Sequence, residues 1–145
     1  QKNWQEWDQK FLFSEYIDKI INFDDYSRSG RELIGKARLV VVNYLSTSHL
    51  ESIISDIPTI FLWNKETYHH EDKYASFYDG LIDSGICQTN PLSAANFINK
   101  IKGNPQLWWD SEAVQKSRKS FLKENFGEPD ILFNYLIKKS DIKNV

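Results

Sequence analysis

The stretch with the most chemical promise is Asn43-Tyr44-Leu45-Ser46-Thr47-Ser48, a polar patch between an apolar run and an amphipathic one. Hydroxyl side chains and unpaired backbone N–H groups at the start of a helix form a natural seat for a phosphate group. His49 adds an imidazole able to donate to such an oxyanion. Glu51, further into the helix, is placed to reach a ribose hydroxyl. The same residues also have a purely structural reading. Ser48-His49-Leu50-Glu51 fits the S-x-x-E capping box, in which each side chain satisfies the other residue's backbone donor. The two readings are compatible, because a cap leaves other N–H groups free. Trp63-Asn64 follows a second apolar run and belongs on the same rim. There Trp63 can pack against a base or sugar, or serve in the core.

Other motifs carry less. The chain has no G-x-x-x-x-G-K-[ST], no G-x-G-x-x-G and no G-x-S-x-G, so P-loop, dinucleotide and nucleophile-elbow chemistry lack support. His69-His70-Glu71-Asp72 gathers metal-ligand types, but adjacent side chains diverge in regular structure and a site needs three or four converging ligands. It reads as a solvated loop, and neither a metal nor a cofactor is expected. Asp24-Asp25 and Asp110 stand near helix starts, where capping and dipole complementarity explain them.

The elements that position the polar patch are legible from periodicity. Leu39-Val40-Val41-Val42 is a continuous apolar run, as in a strand covered on both faces. After the patch, Leu50, Ile53, Ile54 and Ile57 form a helical stripe that Pro58 ends. Thr59-Ile60-Phe61-Leu62-Trp63 predicts a second strand, completing a βαβ unit with a parallel crossover. Ligands of such sheets sit beyond the carboxyl ends of the strands, where the patch lies. A short helix is predicted over 31–37, burying Leu33, Ile34 and Ala37. A further helix is predicted over 74–83, stopped by Gly85, with Ile86-Cys87 as a short third strand. Asn90-Pro91 pairs a capping side chain with a proline at the first helical position. The helix it opens turns Ala94, Phe97, Ile98 and Ile101 inward until Gly103-Asn104-Pro105 breaks it. Trp108-Trp109 leads into a helix over 112–125, and a last helix follows Pro129 with Leu132, Phe133, Leu136 and Ile137. At the other end, Trp4, Trp7, Phe11, Phe13, Ile17, Ile20 and Ile21 recur at spacings of three and four. The fold class is α/β, a Rossmann-like partial parallel sheet with flanking helices.

Bulk properties narrow the function classes. With 145 residues and 41% apolar content, the chain can build one packed core and is no disordered tail. Eighteen basic and twenty acidic residues give a net charge of −2, so no global field favours nucleic acid. Cys87 is the single cysteine, which excludes an intramolecular disulfide and fits a cytoplasmic setting. No apolar run is long enough to span a membrane. The chain starts at Gln1 and contains no methionine, which suggests a fragment of a larger protein. Its expected parts are an N-terminal helical segment (1–23), a ligand-binding core (24–126) and a C-terminal helix and tail (127–145).

Two longer runs carry a resemblance. Ala37-Arg38-Leu39-Val40-Val41-Val42-Asn43-Tyr44-Leu45-Ser46-Thr47-Ser48-His49-Leu50-Glu51-Ser52 is followed by Asp56-Ile57-Pro58-Thr59-Ile60-Phe61-Leu62-Trp63-Asn64. With Phe77-Tyr78-Asp79-Gly80-Leu81, Gly85-Ile86, Pro91-Leu92-Ser93-Ala94-Ala95 and Trp108-Trp109, they resemble the C-terminal part of surface-carbohydrate transferases of the GT-B kind. The resemblance covers about 24–126. It implies the C-terminal half of a GT-B fold, whose two Rossmann-like domains face a cleft. It further implies a nucleotide-sugar donor, with CMP the preferred nucleotide because related enzymes transfer acidic sugars such as Kdo. A glycan acceptor is implied, and a general base or nucleophile on an N-terminal domain that this chain lacks. Carried over by position, Ser46, Thr47 and Ser48 hold the donor phosphate and Glu51 orients the ribose, with Asn43, His49, Trp63 and Asn64 completing the rim. No catalytic residue is assigned. The setting is cytoplasmic, with a peripheral place at the inner membrane face. Two alternatives stand beside this reading: a nucleotide-sugar epimerase of similar fold, and a non-catalytic α/β interaction domain whose Ser/Thr turn is only a cap.

Overall fold

The computed structural model describes residues 27–64 and 72–127, and side chains within the second stretch from Tyr78 onward. The predicted helical segment 1–23, the cluster His69-His70-Glu71 and the helix after Pro129 lie outside the described residues. In chain order the elements are α1 (Gly30–Lys36), β1 (Val40–Val42), α2 (Thr47–Ile54), β2 (Thr59–Leu62), α3 (Asp72–Asp83), β3 (Cys87–Gln88), α4 (Pro91–Ile101), α5 (Pro105–Trp109) and α6 (Glu112–Phe126).

The three strands form one parallel sheet in the order β1-β2-β3. Val41 pairs with Ile60 and Val42 with Phe61, while Phe61 and Leu62 pair with Cys87 and Gln88. The fold is thus α/β, with a partial Rossmann-like sheet flanked by helices. Side chains alternate across a strand, so Phe61 and Ile60 face opposite sides. Both are fully buried, as befits the central strand. β1 departs from the sequence reading. It has a neighbour on one side only among the described residues, and Val41 is 48% exposed. Among the described residues, the continuous apolar run therefore marks an edge strand with one exposed position rather than a strand covered on both faces.

Helix α2 packs on β1 and β2, α1 leans on α2, and α3 packs on β3 and α6. The core gathers where these meet, around Val42, Ile53, Phe61, Trp63, Leu81, Trp109, Val114 and Phe121. Local chemistry sets the helix boundaries. Asn90 Oδ1 accepts from the Ser93 N–H at 2.8 Å, with Pro91 at the first helical position. Asn104-Pro105 repeats the device and starts α5, with Asn104 Oδ1 accepting from the Leu107 N–H. This short helix was not expected from periodicity. Gly85 has φ +83°, and a Cβ there would stand 2.5 Å from Phe97 Cζ, so both conformation and packing call for glycine.

The end of α2 is closed from a distance. Asp56 adopts φ +58°, an uncommon conformation that Asp tolerates better than most residues. The Asp56 N–H donates to Ile53 O and the Ile57 N–H to Ser52 O, a Schellman closure with aspartate where glycine is usual. Arg118, buried on α6, donates from Nε to Ile53 O (2.8 Å) and from Nη2 to Ile54 O (3.2 Å). Its Nη1 lies 3.1 Å from Asp56 Oδ1, and Trp109 Nε1 donates to that same oxygen at 2.9 Å. Trp109 thus ties α5 to the βαβ unit, while Trp108 Nε1 donates to Ser84 O in the turn after α3.

Candidate functional site

The site begins where β1 runs out. Val42 is the last paired residue, and Asn43 and Tyr44 follow as exposed positions. Ser46 is the N-cap of α2, with extended φ/ψ, and Thr47 and Ser48 are its first two helical residues, both exposed. The backbone N–H groups of a helix's first turn lack intrahelical acceptors and lie at the positive end of its dipole. Two exposed hydroxyls therefore sit at the mouth of an electropositive helix end, on the carboxyl rim of a parallel sheet.

The cap itself differs from the one expected. Ser48 and Glu51 do not form it, because the helix starts two residues earlier than that motif requires. The Ser46 N–H donates to His49 Nδ1 at 3.1 Å, so histidine takes the place that Glu or Gln holds in a capping box. Ser46 Oγ faces the His49 backbone in the reciprocal position but makes no hydrogen bond of ordinary geometry. Ser48 is left with its hydroxyl at the rim. Ser52, one turn on, returns its hydroxyl to Ser48 O at 2.7 Å.

His49 faces the sheet. It is 4% exposed and its ring lies against Phe61, with centroids 4.7 Å apart. Burial disfavours the imidazolium and lowers the pKa from 6.5 to about 4, against the opposing effect of the Ser46 hydrogen bond. The ring is therefore neutral at physiological pH.

The other predicted site residues divide into two groups. Asn64 is exposed at the end of β2, and the β1–β2 register brings it to the same rim as 43–48. Trp63 shares that rim through its backbone, but its side chain is 2% exposed and stacks on Tyr78 at 4.7 Å. Glu51 points the other way, toward α1, where its carboxylate lies 3.6 Å from Arg31 Nε. The pair borders an open groove of about 390 Å³ lined by Arg31, Ile34, Gly35, Glu51, Ile54, Ser55 and Ile57. Thr47 and Glu51 are four residues apart and share a helix face, but no residue of the hydroxyl turn lines the groove.

Sequence reasoning missed Arg118, which governs the far end of α2. Its signal was present: Val114, Arg118 and Phe121 recur at spacings of four and three, and a charged residue on an apolar stripe asks for a buried partner. Tyr44, 50% exposed beside the hydroxyl turn, was also passed over. Among the described residues no group of three or more His, Cys, Asp and Glu side chains could hold a metal ion. Among them, too, no helix is long and apolar enough to cross a membrane.

Comparison with known proteins gives one family. A model described as LIC12162 family transferase matches residues 2–132, most of the chain. No curated protein and no solved structure matches.

Proposed function

This chain belongs to the LIC12162 family of transferases, and from that membership we propose that it is the donor-binding part of a glycosyltransferase that builds bacterial surface polysaccharide. The donor is a nucleotide-activated sugar, with a CMP-sugar preferred, and the acceptor is a glycan presented at the inner membrane face. The observation that carries the reading is the exposed Thr47–Ser48 pair at the open N-terminus of α2, on the carboxyl rim of the parallel sheet. In a transferase, that is where a charged leaving group is best received.

In this reading Ser46, Thr47 and Ser48 hold the donor phosphate through hydroxyl and backbone N–H groups. Asn43 and Asn64 flank it with amide groups. Glu51, one turn on from Thr47, reaches a ribose hydroxyl, which requires it to leave its exposed partner Arg31. Trp63 supports the rim from beneath through its packing on Tyr78. The phosphate site stabilises the departing nucleotide, whereas the general base or nucleophile comes from an opposing N-terminal domain. No residue of this chain is therefore assigned to proton transfer. The rival reading, an interaction domain whose Ser/Thr turn is only a cap, draws less support. The capping is done by Ser46 and His49, which leaves Thr47 and Ser48 open to solvent.

The test is an NMR titration of the labelled chain with CMP, UDP, GDP and ADP, beside the variant Thr47→Ala. Selective shifts at the amides of 46–51 with one nucleotide, lost in the variant, are expected. A folded sample that responds to none of the four would overturn the reading.

A further inference from the structure

We draw no further inference here: the strongest candidate, the open groove of about 390 Å³ between α1 and α2 lined by Ile34, Ile54 and Ile57 beside the Arg31–Glu51 pair, is an unpartnered apolar face, and nothing in the structure shows what covers it.

Discussion

Acidification should weaken this fold through His49 in a way that can be isolated from every other titrating group. In the folded chain the ring is neutral with a pKa of about 4, and its ordinary value is 6.5. The lowered value means that the unfolded chain binds a proton more readily than the folded one between those limits. Stability therefore rises with pH through the interval. The contribution is complete above about pH 6.5 and is lost as pH falls toward about 4. Each pH unit of that interval is worth about 1.4 kcal/mol, so about 2 kcal/mol should disappear between about pH 7 and about pH 5. There is a structural reason as well as a solvation one. Protonation would put a hydrogen on Nδ1, where the Ser46 N–H now donates, and would break the cap of α2. The assay is urea unfolding at both pH values for wild type and His49→Gln, whose amide does not titrate. Carboxylates contribute alike to both proteins and cancel in the difference. The variant should lose about 2 kcal/mol less than wild type over that range. Parallel loss in the two proteins would refute the reasoning.

Three further outcomes follow from the packing. Arg118→Met should cost about 2–4 kcal/mol in chemical denaturation, because Ile54 O loses its side-chain donor, Ile53 O keeps only the Asp56 N–H, and Asp56 loses its cation. Gly85→Ala should lower the melting temperature by an amount equivalent to about 2 kcal/mol or more, since it adds a strained φ to a contact with Phe97. Arg31→Ala should leave stability within about 0.5 kcal/mol of wild type, because that side chain is 84% exposed and its pair with Glu51 is solvent-screened. A larger loss from Arg31→Ala would mean that the groove between α1 and α2 is more tightly built than its exposure indicates.

The βαβ unit was legible because its signals are local and redundant. A β-branched run, a helical apolar stripe, Pro58 and a second apolar run leave little room for another reading. Asn90-Pro91 was equally plain, and Asn104-Pro105 carried the same message without being heeded, since five residues show no periodicity. The cap of α2 was misplaced for a physical reason. Both Ser46-x-x-His49 and Ser48-x-x-Glu51 fit the spacing, and the sequence does not say which serine leaves helical φ/ψ. The pull of the sheet on His49, through Phe61, favours the earlier start and sends Glu51 to the outer face. Trp63 illustrates a similar limit. Its position at a strand end was readable, but whether the ring turns to solvent or to Tyr78 depends on α3, an element distant in sequence.

The closure of α2 by Arg118 also bears on the order in which the molecule is made. The bonds from Arg118 and Trp109 reach back 65 and 53 residues, so the local closure at Asp56 gains its side-chain donors only after almost the whole described chain exists. Contacts of such separation carry the largest loop-closure cost and form late. During synthesis, then, the early βαβ segment emerges with that helix end held by its own backbone turn alone.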